Sequence, residues 1–320
     1  MTGAAFPRDA ALSRTGALPS PAVPPGPLPS SEAGLPDSEM SGREVSGASC
    51  ARLAALAVAA LRLELDTYPK PGLVSRVDSG SHADMDAETF AASADTLEPY
   101  FAALARAGAA GLAMPALRRI GLEAEAAMRA ATGGVNTHRG AIFGLGLLVS
   151  AAGALGPDAR PLSAGALGAH VRGHHAAGIL DGPELLHAPG ARARRCHGVG
   201  GAPAEAAAGF PTLYRIGLPA LRRARALRPG DGNAARVGCC LALVAALEDT
   251  NLLHRGGAAG YHFAREAAAR FDREGGLARA DWFARAEALH HAFVARRLSP
   301  GGAADLLAMT LFVDAIEAAA

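Results

Sequence analysis

Of the 31 lysine and arginine residues, 30 are Arg, and the one lysine, Lys70, stands between two prolines in Thr67-Tyr68-Pro69-Lys70-Pro71-Gly72. Arg is a broad planar fork and Lys a compact point charge. A lone Lys in a stiff loop points to a place that needs a compact ammonium, such as the side of a phosphate oxygen. Carboxamides are as scarce, with three Asn and no Gln. Asn136 and Asn251 both fall among Gly, His and Arg, in Thr132 to Gly140 and Asp249 to Gly257. The third, Asn233 in Asp231-Gly232-Asn233, reads as an ordinary turn.

Four polar clusters gather these residues. The first runs from Glu64 to Asp86 and contains Lys70, His82, Asp84 and Asp86. Two carboxylates at i and i+2 beside a His can bind a hard cation or act as acid and base; equally, Asp86 can cap a helix with Asp84 solvated. The second, Thr132 to Gly140, carries Asn136, His138 and Arg139 and leads from paired glycines into a helix. Free N–H groups at such a start attract anions, so it reads as a phosphate cradle or a plain helix–helix turn. It is no Walker loop, because no GxxxxGK[ST] string occurs. The third packs Asp249, Asn251, His254 and Arg255 at the end of an apolar run, where Gly256-Gly257 could also be a helix stop. The fourth, Ser299 to Asp305, is a turn into the last helix whose acid is explained by capping. Among the other histidines, His170 and His174 have helical zinc-pair spacing but no third ligand, while His174-His175, His187 and His197 read as solvated.

The elements that position these clusters are helical. Leu53, Leu56, Ala60, Leu61 and Leu65 recur near a 3.6 period over 49–65, and Pro69 ends that segment. Asp86 caps a second helix whose face is Phe90, Leu97, Phe101 and Leu104, with Pro99 expected to kink or restart it. Further helices are predicted over 115–131, 139–153, 162–176, 217–227, 234–248, 257–273, 280–298 and 302–318. The stretch 178–200 reads as a loop or insertion. The expected fold is one all-α domain over 48–320 with glycine-rich connections. Residues 1–47, with 8 of the chain's 21 prolines, form a Pro/Ser/Gly-rich arm expected to be disordered.

Half of the 320 residues are hydrophobic and only 5% aromatic, so the apolar content is mostly helix-forming Ala and Leu. A net charge of +1 gives no case for nucleic acid or a charged membrane surface. Cys50, Cys196, Cys239 and Cys240 lack CxxC spacing and read as a reducing cytoplasm's thiols. No signal peptide or membrane span is read in the sequence.

In order, these strings resemble a known family. Glu64…Pro69-Lys70-Pro71-Gly72-Leu73-Val74 with Gly80-x-His82-x-Asp84-Met85-Asp86-x-x-Thr89-Phe90 is similar to its first signature. Thr132-x-Gly134-Val135-Asn136-Thr137-His138-x-Gly140-Ala141-Ile142-Phe143 is similar to its second. Gly209-Phe210-Pro211, Asp249-Thr250-Asn251…Arg255-Gly256-Gly257 and Ser299-Pro300-Gly301-Gly302-x-Ala304-Asp305-Leu306-Leu307-Ala308 complete it. The family is triphosphoribosyl-dephospho-CoA synthase, which makes the prosthetic-group precursor for the carrier proteins of malonate decarboxylase and citrate lyase. The resemblance runs from about residue 50 to 318. Two positions depart from the pattern: Ala204 precedes Glu205 where the family has Arg, and Arg139 stands where it often has Lys.

The resemblance implies a reaction in which ATP and 3′-dephospho-CoA give 2′-(5″-triphosphoribosyl)-3′-dephospho-CoA and adenine, with an oxocarbenium-like transition state. It implies carboxylates for base or metal at Asp84, Asp86 and Asp249, with Mg²⁺ for the triphosphate. Lys70, Arg139 and Arg255 would hold phosphates, and Asn136, His138 and Asn251 would orient sugar or phosphate, with Glu64 and Glu205 beside them. The product would pass to a holo-transferase that loads the carrier protein, more in keeping with the malonate decarboxylase type. The alternatives are a helical Mg²⁺-dependent N-glycosyl hydrolase, using water as acceptor, and a non-catalytic nucleotide-binding protein.

Overall fold

The computed structural model describes residues 47–156, 162–183 and 188–317, all within the compact unit Arg43–Ala320. The predicted arm, up to residue 46, and His187 lie outside the described residues. Among the described residues there are twelve α-helices and no strand.

Helix α1 (Gly47–Leu65) packs on α2 (Ala87–Ala109), and α2 packs on α3 (Met114–Ala131) and α4 (Arg139–Leu155). Helix α4 is buried along almost its whole length, because Ala, Leu, Ile, Val and Gly occupy every side of it. It crosses α2 at contact distance. A Cβ on Gly108 would stand 1.8 Å from the Ser150 carbonyl oxygen, and one on Gly153 would stand 2.0 Å from that of Ala105. The last helix, α12 (Gly301–Glu317), is as apolar and packs on α4 and α1, so α1, α2, α4 and α12 form the central bundle.

The sequence placed most helices and missed some. Asp86 caps α2 as expected, accepting from the Thr89 N–H at 2.9 Å. Pro99 does not restart α2. It sits on the exposed face, where water can take the Asp95 carbonyl that a proline cannot bond. The stretch 178–200 is not simply a loop. It holds the end of α5 (Ala166–Leu180) and a further helix, α6 (Pro189–His197), begun by Pro189 and closed by Gly198 in the left-handed region. A short α7 (Gly201–Ala207) follows. A π-helical turn, Leu213–Gly217, then leads into α8 (Leu218–Leu227).

Helix α9 (Gly232–Ala246) precedes α10 (Thr250–Arg273), which α6 contacts and which is broken at Gly257, where φ is 58° and ψ −164°. Asp249 therefore starts a helix instead of closing one. Helix α11 (Trp282–Val294) leads through Ser299 to α12. Among the described residues no single helix is long and apolar enough to cross a membrane.

Candidate active site

Lys70 is fully buried, and its Nζ lies 2.5 Å from Glu64 Oε1 at the end of α1. The loop that delivers it is fixed at several points. Asn233 accepts from the Tyr68 N–H and donates to the Tyr68 carbonyl, at 3.1 and 2.5 Å. His290 Nδ1 lies 2.6 Å from the Lys70 carbonyl oxygen. Asn233 is thus more than a turn residue. Lys70 does not line the cavity described below, so its compact ammonium serves a buried carboxylate and not an open phosphate slot. An arginine's broad fork would not fit a fully buried slot shaped for one carboxylate. Burial raises the Glu64 pKa above the usual carboxylate range, and the ammonium pulls it part of the way back.

Asp249, also buried, ties two helices together. Its Oδ1 accepts from the N–H groups of Asn251 and Leu252, at 2.8 and 3.2 Å, in the first turn of α10. Its Oδ2 accepts from the Ala303 N–H at 3.0 Å, in the first turn of α12. One carboxylate thereby satisfies N–H groups of two helix starts. Desolvation still raises its pKa against these bonds.

Asp305, read from the sequence as a capping acid, has another place. It lies one turn inside α12, lines the cavity and faces the N-terminus of α4. A Cβ on Gly140 would fall 1.9 Å from Asp305 Oδ2, so only glycine at 140 leaves room for the carboxylate. Burial raises the Asp305 pKa well above the carboxylate range, and the charges of Glu64 and Asp249 raise it further; an N–H bond from Ala141 opposes them. The start of α4, which read as a phosphate cradle, is thus occupied by a carboxylate of the chain itself.

His138, at the N-cap of α4, is 3% exposed. Its Nδ1 lies 2.6 Å from Ser93 Oγ on α2, and Ser93 Oγ accepts from the Thr137 hydroxyl at 2.7 Å. Its Nε2 is buried without a hydrogen-bond partner. Desolvation, aided by the Lys70 charge, lowers its pKa to about 3, so the imidazole is neutral at ordinary pH. Asn136 accepts from the Arg139 N–H at 3.3 Å, and Arg139 Nε pairs with Glu125 at 3.3 Å.

Arg255 donates to the carbonyls of Ser81 and Arg297, at 2.6 and 3.0 Å. His82 Nε2 lies 2.9 Å from Ser299 Oγ. The first and fourth clusters are thus bound together. Glu205 accepts from the Thr212 N–H and hydroxyl, at 2.7 and 2.9 Å, and burial raises its pKa. Asn251 packs beside Gly301.

These side chains surround a cavity of about 600 Å³, within the range of small-molecule sites. Glu64, Asn136, His138, Arg139, Glu205, Asp249, Asn251 and Arg255 all line it, and so does Asp305. Asp84 and Asp86 do not. Asp86 is an exposed helix cap, and Asp84 points outward beside His82, with its side chain 64% exposed. The expected trio of Asp84, Asp86 and Asp249 is therefore not assembled, and among the described residues no three His, Cys, Asp or Glu are grouped to hold a metal. Nor do His170 and His174 form a zinc site; their rings stack at 4.1 Å, and His174 Nδ1 bonds the His170 carbonyl. Sequence reasoning missed Asp305 because a helix cap explained it. The signal was Gly140, a glycine in the first turn of a helix, where only a close neighbour requires one.

Leu104, Met114, Leu117, Phe143 and Met309 give the cavity an apolar lining, into which Glu64, Asp249 and Asp305 bring carboxylates close enough to act on one another. Such a surface can receive a flat or aliphatic group and set carboxylates against a developing positive charge. Asp305, with its raised pKa, is suited to take up a proton there.

The family described as ATP:dephospho-CoA triphosphoribosyl transferase (CitG) matches residues 50–320. The chain is similar to a protein of Stutzerimonas stutzeri strain A1501 named "Probable 2-(5''-triphosphoribosyl)-3'-dephosphocoenzyme-A synthase", 44% identical over 84% of this chain and 93% of that one. Proteins of the same name from Azotobacter vinelandii strain DJ and Pseudomonas fluorescens strain Pf0-1 are 44% and 43% identical, each over 83% of this chain and 91% and 92% of their own length. No solved structure matches the chain. The family match spans nearly all the described residues, and these relatives are covered over nine-tenths of their length: the chain belongs to the ATP:dephospho-CoA triphosphoribosyl transferases.

Proposed function

We propose that this transferase moves the triphosphoribosyl group of ATP to 3′-dephospho-CoA, releasing adenine and forming 2′-(5″-triphosphoribosyl)-3′-dephospho-CoA. The observation that carries the reading is the meeting of Glu64, Asp249 and Asp305, from three separate signature strings, at one cavity wall. A ribose hydroxyl of dephospho-CoA attacks C1′ of the ATP ribose, and the bond to adenine breaks. The transition state resembles an oxocarbenium ion, which carboxylates stabilise. Asp305 is the base that accepts the hydroxyl proton. Asp249 holds its wall in place, and Glu64, paired with Lys70, supplies negative charge behind it.

Arg139, Arg194 and Arg255 are the phosphate-facing cations, with Asn136 and Asn251 between them. Arg194 lies along Gly201, beside the Ala202-Pro203-Ala204 departure, and restores a cation to that wall. The lining has six carboxylates to four guanidiniums, so a triphosphate entering it needs further positive charge. Mg²⁺ carried on ATP supplies it. The product serves carrier-protein loading by a holo-transferase in the cytoplasm, in the malonate decarboxylase system.

The test is incubation of the protein with ATP, Mg²⁺ and 3′-dephospho-CoA, followed by mass spectrometry. Adenine with a dephospho-CoA adduct of triphosphoribosyl mass supports the reading, and absence of that adduct rejects it.

A further inference from the structure

The buried histidine of the second cluster has one nitrogen engaged and one left open. Thr137 donates its hydroxyl proton to Ser93 Oγ, at 2.7 Å. Ser93 therefore turns its own proton to His138 Nδ1, at 2.6 Å. With Nδ1 accepting, the single ring proton of a neutral imidazole is on Nε2. That nitrogen is buried without a partner, in a residue that lines the cavity. Phe90 fixes the ring plane, edge to face with centroids 4.9 Å apart. A buried donor without an acceptor is unfavourable, so the site favours a state in which a ligand atom accepts from it.

We propose that Ser93 is a positioning residue that locks His138 as a neutral Nε2–H donor, aimed at the departing adenine ring of ATP. The choice of adenine rests on the function proposed above. Phe90 packs edge to face on the His138 ring, and Ile142 and Phe143 line the same cavity, so an aromatic base fits beside it, with the neighbouring Arg139 left for phosphate. In the transfer, the C1′–N9 bond breaks with its electron pair going to adenine. The proton given up by the attacking hydroxyl balances the adenine finally released. His138 gives up no proton in this sequence. Its N–H bonds a ring nitrogen of the base and becomes a stronger contact as negative charge gathers there.

The test uses the full-length protein labelled with ¹⁵N in its histidines, with His138→Asn to assign the resonance. Long-range nitrogen–proton NMR reads which ring nitrogen carries the proton, with or without turnover. Expected in the unaltered protein is a protonated Nε2 and a bare Nδ1; the reverse tautomer, or a doubly protonated ring at pH 7, overturns the lock. In Ser93→Ala, both tautomers should be populated and kcat should fall at least about tenfold with the KM for ATP little changed. An unchanged tautomer with unchanged kcat overturns the positioning role. Added adenine should shift the Nε2–H resonance, and no shift at saturation overturns the choice of the base as acceptor. A protein that makes no adduct in the mass-spectrometric assay defeats the proposed reaction and leaves the tautomer measurement standing.

Discussion

Asp249 and Ala303 are 54 positions apart, yet the carboxylate of one accepts the backbone N–H of the other at 3.0 Å, while its second oxygen caps α10. The starts of α10 and α12 are therefore one structural unit. Asp249→Asn keeps the size but replaces an acceptor oxygen with a donor that faces N–H groups. The expected loss of stability is about 1–3 kcal/mol, read as a lower midpoint in urea denaturation. An unchanged midpoint would show that the clamp contributes nothing.

The pairing of Lys70 with Glu64 makes a second prediction. Lys70→Met leaves a buried carboxylate without its partner and should cost about 3–5 kcal/mol. The double variant Lys70→Met with Glu64→Leu should recover most of that stability, since well-packed apolar residues replace a buried ion pair at little net cost. Equal losses in the single and double variants would mean that packing, not charge, is what Lys70 supplies.

A third prediction concerns Asp305. Asp305→Asn should lower kcat by about 10²–10⁴-fold in a protein that still folds. Gly140→Ala should lower kcat in the same direction by crowding the carboxylate, and the overpacking should cost about 1–3 kcal/mol of stability. The pH dependence has a definite sign. The raised Asp305 pKa means that the folded protein binds this proton more tightly than the unfolded chain. Stability from this group declines as pH rises from 3.8 through the raised value, while activity rises as the base form appears. Asp305→Asn should remove that decline.

The scarcity of Lys and Asn marked Lys70, Asn136 and Asn251 as special, and the structure places all three at or directly behind the site. It could not say that Lys70 is buried, because a rigid loop with a cation looks the same whether it faces solvent or a carboxylate from α1. Asp86 was legible as a helix cap from its spacing to Thr89, and that local explanation is the right one. The same kind of explanation hid Asp305, whose partner, Gly140, comes from a helix 165 positions away in sequence. Helix α6 was missed because its arginines, glycine and proline outnumber its apolar positions, and α7 because 7 residues are too few to show a 3.6 period.

His138 makes a fourth prediction, on acid stability. Its pKa falls from 6.5 to about 3 on folding, so the unfolded chain binds this proton first as pH drops. The contribution is fully present above pH 6.5 and is lost progressively toward pH 3, by up to about 1.4 kcal/mol per pH unit. His138→Asn should flatten the stability profile in that window, as measured by denaturation at a series of pH values. A profile as steep as that of the unaltered protein would place the acid lability elsewhere.

The most direct test of the central claim is a time course of adenine release with and without 3′-dephospho-CoA, with the adduct counted alongside. The proposed transfer requires one adduct for each adenine, and no sustained adenine release when dephospho-CoA is left out. Adenine released at the same rate in its absence would show that water is the acceptor, and would contradict the assignment of this site to triphosphoribosyl transfer.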